Sequence, residues 1–507
     1  MISRRSFLIT SAAAAASIHN FAQTANGPSP AILTLRPGVP LARVPKNFMG
    51  LSYEVQQLAD PSFFSESNKD LIALFQGLSS SGVLRLGGNT SDAAWWKGHP
   101  EEAAPIPPPP TGTRPGNAGF PIEPQAITNL RGFLDATGWT CLFGLNLGSN
   151  TPERAAEQAV FVSQALGPKL EYFKLGNEPD FYGILGRRDK ATWTADAYFD
   201  DWLAMAHAIQ AKLPNARFGL PDTTNHVSWF STLVKRLIAL PPAQRPNVCA
   251  LTHHYYYGTP PSNPDVNIVH MLQHSELVDR LAQDVRIAAE ELSSATHQTV
   301  LYRMSEGNTC ARGGKPGLSD VFASALWAAD YCLLLASNGY AGVNMQGGSA
   351  TAVANSVGGR FAGDALIADP SVSHPRPFYT PIALMNGKYI AEPVYQGMLF
   401  AQQFAGAQII GLEFNSGAVN ATAYAGLMPD GTKRIAVINK DADQSITIRV
   451  PGMSAACTVS LTGPALDSQQ AEWNARPSGR GAGCEAKGKG QNVFTAPPRT
   501  ALLIEGR

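Results

Sequence analysis

Tyr172-Phe173-Lys174-Leu175-Gly176-Asn177-Glu178-Pro179-Asp180 is the stretch on which the fold turns. Tyr172 to Gly176 reads as a short buried strand whose end delivers one carboxylate, Glu178. Downstream, Tyr198, Trp202, Met205 and Ile209 recur at helical spacing, after threonines fit to cap a helix and before the breaker Pro214. The next β-prone run is Arg217 to Pro221. Strand, helix, strand is the unit of a parallel sheet with crossover helices. The same alternation extends both ways, through Met49 to Val55, Val83 to Gly88 and Cys141 to Gly148 on one side. On the other it takes in Val248 to Tyr257, Val300 to Ser305 and Gly342 to Gln346. A further helix is expected from Ser319-Asp320 through Trp327 and Tyr331 to Gly339, a good C-terminal cap. Eight parallel strands with intervening helices predict a closed (β/α)8 barrel, the TIM-barrel class of α/β folds.

The 507 residues exceed one such barrel, which typically takes about 250 residues. From about Glu392 the texture changes to short β-prone runs between Gly, Asp and Pro turns: Thr422 to Leu427, Arg434 to Asn439, Ser445 to Val450 and Thr458 to Leu461. This predicts an antiparallel β-domain, and Ala31 to Leu35 is strand-like enough to complete it from the other end of the chain. The expected division is a leader over 1–25, the N-terminal strand segment over 27–46, the barrel over 47–390 and the β-domain over 391–507. Two segments interrupt the alternation. His99 to Gly116 is proline-rich and is expected as an extended excursion walling the cleft. Gly347 to Pro377 is too long for a plain connector.

Lys and Arg number 39, as do Asp and Glu, so no charge footprint for nucleic acid or an anionic membrane exists. Arg4-Arg5, followed by Phe7-Leu8-Ile9 and the run Ala12 to Ala16, reads as a twin-arginine export signal cleaved between Phe21 and Gly27. No later segment is apolar enough for a membrane helix, so the expected location is periplasmic or secreted. The six cysteines, 141, 249, 310, 332, 457 and 484, are too scattered for a disulfide scaffold or a paired zinc motif, and no metal or cofactor is expected. In an oxidising compartment Cys457 and Cys484 are either a bridge or two unpaired thiols.

The fourth and seventh strands each put one glutamate, Glu178 and Glu306, at the C-terminal face where barrel enzymes keep their active sites. Glycoside hydrolysis needs such a pair: an acid for the departing oxygen and a base or nucleophile for the anomeric carbon. Asn177, beside the acid, suits a hydrogen bond to the sugar 2-hydroxyl. Either Tyr255 or Tyr256 is expected to orient Glu306, since neighbours on a strand face opposite ways. Glu54 and Asn89, at the ends of strands one and two, are candidate ligands for sugar hydroxyls or structural hydrogen-bonding groups. His253 and His254 are wall residues or members of the site.

With these residues in place, the chain resembles clan A glycosidases, and within them glycoside hydrolase family 79, which holds β-glucuronidases and heparanases. The resemblance covers nearly all of the chain beyond the leader. It rests on Leu51-Ser52-Tyr53-Glu54, Arg85-Leu86-Gly87-Gly88-Asn89, Gly176-Asn177-Glu178-Pro179, His253-His254-Tyr255-Tyr256, Ser305-Glu306 with Gly314-Lys315-Pro316-Gly317, and Tyr379-Thr380-Pro381-Ile382. It implies retention of configuration, Glu178 as acid/base, Glu306 as nucleophile, and a β-sandwich built from both chain ends. It also implies a β-D-glucuronoside as substrate, with its carboxylate held near the nucleophile loop and by Tyr379.

The loop after Glu306, Gly307-Asn308-Thr309-Cys310-Ala311-Arg312-Gly313, lacks the tyrosine that the resemblance leads one to expect. Arg312, Lys315 or backbone N–H groups around Gly313 are the alternative carboxylate donors. The same departure is compatible with a neutral glycone such as glucose, xylose or arabinose. Narrow walls and few basic residues in the two insertions favour exo-cleavage over an internally cutting, heparanase-like action. A non-catalytic sugar-binding barrel predicts loss of one carboxylate, and both are present. A structural envelope protein predicts that Glu306→Gln leaves its role intact. The expected partner is a carbohydrate, with no nucleic acid and no membrane after leader removal.

Overall fold

The computed structural model describes residues 30–103, 119–367, 369, 374–453, 455–474, 485–486 and 492–506. The expected leader, most of the proline-rich excursion and Cys484 lie outside the described residues.

Eight strands close a barrel: β1 (Met49–Glu54), β2 (Val83–Gly87), β3 (Thr140–Leu145), β4 (Leu170–Leu175), β5 (Arg217–Thr223), β6 (Asn247–Gly258), β7 (Leu301–Cys310) and β8 (Val343–Gly347). Every neighbouring pair is parallel, and spatial order follows chain order until β8 meets β1. The strands read as near-continuous apolar runs because one face looks into the barrel and the other is covered by helices. Thr194 caps the helix Ala195–Lys212 by accepting from the Ala197 N–H, and its stripe Tyr198, Trp202, Met205 and Ile209 is buried.

Two barrel features depart from expectation. β7 does not stop at Ser305 but continues to Cys310, pairing Glu306 with His254 and Asn308 with Tyr256. Its ladder shifts register between Met304 and Glu306. Such a bulge lets the consecutive residues Ser305 and Glu306 both reach the interior, which a regular strand would forbid. The helix expected from Ser319 begins instead at Phe322 and runs to Ser337. Ser319 and Asp320 accept from the N–H groups of Lys315 and Gly317 and so hold the preceding loop. The helix's first N–H groups, those of Phe322 and Ala323, donate to the carbonyls of Ser468 and Leu466 from the β-domain.

The β-rich texture after Glu392 also begins later than expected. Pro393–Gln402 is a helix, with proline in its first turn, packed against Phe322–Ser337. The sheet starts at Gln408–Phe414, which pairs antiparallel with Ala31–Arg43, so the two ends of the chain do meet. Strands Ala421–Leu427, Lys433–Asn439, Thr500–Gly506 and Ala455–Thr462 continue it antiparallel on one side. On the other side Ala31–Ile32 pairs with Ile446–Arg449 in parallel, an exception to the antiparallel expectation, and Ile446–Arg449 pairs with Val493–Ala496. Alternation sorts the faces. Ile435, Val437, Leu502 and Ile504 share a core with Ile446, Ile448 and Phe494, so the sheet folds over on itself. Ala436, Ile438, Ala501 and Leu503 face the other way and join the barrel core. At that junction Asp330, on the helix Phe322–Ser337, accepts from Lys440, Tyr424 and Thr422. Cys457 is disulfide-bonded, and Cys141, Cys249, Cys310 and Cys332 are free and buried.

Candidate active site

The C-terminal ends of β1, β4, β6, β7 and β8 open into one cavity of about 230 Å³. Glu54, Asn89, Glu178, His254, Tyr256, Glu306, Arg312, Gln346 and Tyr379 are among its lining residues. Gly176, in the left-handed region at φ +83°, turns the chain off β4, and Glu178 follows at φ +47°. Its N–H donates to the Asp222 carbonyl at 3.0 Å, fixing the carboxyl at the cavity edge. Glu306 is delivered by the β7 bulge. One oxygen from each glutamate lies within 4.8 Å of the other.

The two carboxyls are held in different states. Glu306 is buried, which pushes its carboxyl up, but nearby His254, the Arg85 guanidinium and the Tyr256 hydroxyl outweigh burial and hold it below the usual carboxylate range. Arg85 donates to Glu306 Oε2, and the Tyr256 hydroxyl donates to Oε1 at 2.8 Å. Among the described residues, no guanidinium pairs with Glu178. Burial, aided by the charge on Glu306, raises it, and the His254 Nδ1 donation to Oε1 at 3.1 Å only partly offsets this. The two carboxyls are therefore displaced in opposite directions, the sense of the split that a general acid and a nucleophile require.

β6 shows why one histidine and one tyrosine serve the site. His253 points outward, bonded at 2.8 Å to the Tyr340 hydroxyl, and burial drops its pKa to about 3, so it is a neutral wall residue. His254 points inward, and despite burial the charges of Asp222 and Glu306 raise it to about 9, an imidazolium. Tyr255 faces outward, bonded to Ser275 and stacked on Tyr331. Tyr256 faces in. The choice between the two tyrosines is thus resolved by alternation.

The remaining expected residues divide. Asn177 is buried, with its Oδ1 accepting from Arg85 at 2.6 Å and its amide nitrogen 3.5 Å from Asn89 Oδ1. Glu54 lines the cavity, yet one of its oxygens accepts from Thr90 and the other from Gln346, and burial with the Glu306 charge lifts its pKa to about 7. Asn89 donates to the Ser356 carbonyl at the rim. Arg312, at φ +61°, is exposed on the cavity wall, and Tyr379 is buried beside Tyr256. Lys315 is not in this cavity. Its ammonium donates to the carbonyls of Val266 and Asn263, so it fastens the loop after β6. Gly313, at φ +95° with Phe361 against its α-carbon, accepts from the Phe378 N–H and is a turn residue.

Three charged residues were not singled out from the sequence. Arg85 on β2, Lys174 on β4 and Asp222 on β5 are all buried. Lys174 and Arg85 both donate to Asp222, whose carboxyl stays well below its ordinary range although burial opposes this. The available signal was a cation inside each of two apolar runs, Leu84-Arg85-Leu86 and Phe173-Lys174-Leu175, because a buried charge requires a partner.

No family model matches the chain. It is 28% identical over 305 residues to a β-glucuronidase of Aspergillus niger, an alignment covering 58% of this chain and 55% of that protein. It is 25% identical over 314 residues to a β-glucuronidase of Neurospora crassa, covering 57% and 54%. The chain thus spans about half the length of the curated relatives it matches. Among solved structures, a 4-O-α-L-rhamnosyl-β-D-glucuronidase from Fusarium oxysporum superposes with a TM-score of 0.66 at 17% identity, covering 93% of this chain and 99% of that one. An α-L-arabinofuranosidase from Thermotoga maritima gives 0.64 at 15% identity, covering 94% and 99%. Shared with these glycosidase structures is the architecture itself, a closed eight-stranded parallel barrel carrying a separate antiparallel sheet.

Proposed function

We propose that this protein is a retaining, exo-acting β-glycosidase of glycoside hydrolase family 79 that releases terminal D-glucuronic acid, plain or as its methyl ether, from glycans or glycosides. The observation that carries the reading is the Glu178–Glu306 pair, with oxygens within 4.8 Å of each other and opposite pKa displacements. Retaining enzymes place the two carboxyls about 5–5.5 Å apart, whereas inverting ones leave about 6.5–9.5 Å for a water. Ionised Glu306 attacks the anomeric carbon as Glu178 gives its proton to the departing oxygen, leaving a glycosyl ester on Glu306. Glu178, now charged and stabilised by the His254 imidazolium, takes a proton from water. That water attacks the anomeric carbon and frees Glu306.

The glycone assignment is supported by the β-glucuronidase relatives and by Arg312 and Tyr379 on the cavity wall, which we assign to the sugar carboxylate. Exo-action is supported by Ser356 and Val357, from the long segment after β8, at the cavity rim. Export by the twin-arginine leader belongs to the same proposal; among the described residues, no helix is long and apolar enough to cross a membrane. A panel of nitrophenyl β-glycosides tests the reading. Glucuronide is expected to be cleaved and glucoside, xyloside and arabinoside spared, with Glu306→Gln lowering kcat by roughly 1000-fold or more. Preferential turnover of a neutral glycoside contradicts the sugar assignment, and full activity in Glu306→Gln contradicts the nucleophile.

A further inference from the structure

Asp222 sits beneath the catalytic pair without touching the cavity, and its bonds reach both glutamates. Its carbonyl accepts from the Glu178 N–H at 3.0 Å. Its carboxylate faces His254 Nε2 at 3.2 Å, and the opposite ring nitrogen of His254 donates to Glu178. Arg85 spans Asp222 and Glu306, donating one Nη to each, and the Ser305 hydroxyl, next in chain to Glu306, donates to Asp222 Oδ1. Lys174 completes the set from β4. Both Asp222, at φ +67°, and Glu178, at φ +47°, occupy the left-handed region, and they are joined by that backbone hydrogen bond. Such conformations in residues other than glycine persist where surrounding contacts over-determine them, typically at functional sites.

Resting on the proposed glycosidase reading, we propose that Asp222 is the positioning residue that locks the acid/base and the nucleophile into one geometry, through His254 and the Glu178 backbone on one side and Arg85 and Ser305 on the other. The carboxylate is needed as a charge as well as an acceptor. It lies among Arg85, His254 and Lys174, the last lowered to about 7 by burial and by Arg85, with Glu306 and Glu178 beyond them, while the neutral groups around it are Ser305, Tyr198, Tyr172 and His253. Without Asp222, the charges of Arg85 and His254 face each other uncompensated, and Arg85 keeps only the neutral acceptors Ser52 and Asn177 beside Glu306.

The test uses the whole chain with Asp222→Asn, which keeps the size and the backbone carbonyl. On both an activated dinitrophenyl β-D-glucuronide and an unactivated phenyl one, kcat is expected to fall about 100-fold with KM changed by less than about threefold, since the residue touches no substrate. Nitrogen NMR of His254 gives a readout that a merely structural role does not move: the ring is expected to lose its second proton at lower pH in the variant than in wild type. Ser305→Ala, which removes one small donor, is expected to lower kcat by about three- to tenfold at constant KM, and it decides the matter if Asp222→Asn does not fold. Overturning results are a folded Asp222→Asn with kcat within about threefold of wild type, an unchanged His254 titration, or an unimpaired Ser305→Ala. A wild-type protein inactive on every glycoside overturns the glycosidase reading itself, which distinguishes the two failures.

Discussion

Glu306 is buried, and two donors, Arg85 and Tyr256, together with the His254 charge at 4.0 Å favour its ionised form. The tyrosine's share can be isolated. In the proposed double displacement an ionised Glu306 and a protonated Glu178 together define the active form, so activity is expected to rise with pH through the Glu306 pKa and to fall through that of Glu178. Because the Tyr256 hydroxyl donates to the charged carboxylate, Tyr256→Phe raises the Glu306 pKa. The acidic limb of the kcat/KM profile should move to higher pH, with kcat at the optimum down roughly tenfold. A limb that stays in place or moves to lower pH contradicts the assigned bond. At this scale Glu178 and Glu306 were legible because a carboxylate at a strand's C-terminal end has few other uses in a barrel. Asp222 was not, because the partners that reveal it, Lys174 and Arg85, are 48 and 137 residues away. Lys315, one of the alternative carboxylate donors, reaches the Val266 and Asn263 carbonyls instead of the cavity, since proximity to Glu306 along the chain does not fix where a four-carbon side chain ends.

Strand number and order were read correctly from the alternation of apolar runs and helical stripes, because burial of strands on both faces leaves that pattern in the sequence. The end of β7 was not, because Glu306-Gly307-Asn308 is polar and looks like a loop, whereas its ladder to β6 is a matter of pairing rather than composition. Nor was the helix Pro393–Gln402, which follows the last barrel strand and precedes the sheet. Its contact with Phe322–Ser337 depends on Gly397, where an added Cβ would meet the Ala325 backbone carbonyl. Alanine favours a helix over glycine by about 1 kcal/mol. Collision with a backbone atom costs about 1–3 kcal/mol, and here no flexible side chain can yield. The collision therefore outweighs the gain, and Gly397→Ala should lower the unfolding free energy by up to about 2 kcal/mol. Denaturant unfolding checks the sign, and a stabilised variant would show that the two helices are free to separate.

Across the whole molecule, the sheet closes over the side of the barrel through Ala436, Ile438 and Leu503 and through the Asp330–Lys440 pair, none of which lines the cavity. Its role is to brace the helix Phe322–Ser337, whose first N–H groups it caps. The meeting of the chain's two ends was legible from Ala31 to Leu35, although only strand register shows that the first strand is shared by both halves of the folded sheet. Barrel closure also brings together the ends of β4 and β7, and with them Glu178, just past β4, and Glu306, on β7; their separation carries the stereochemical claim. Proton NMR of the first sugar released from an aryl β-D-glucuronide, followed before mutarotation, tests it most directly. The β-anomer of glucuronic acid appearing first, and the α-anomer only later, is the predicted result; an α-anomer formed first would mean a single displacement by water and would contradict the double displacement through Glu306.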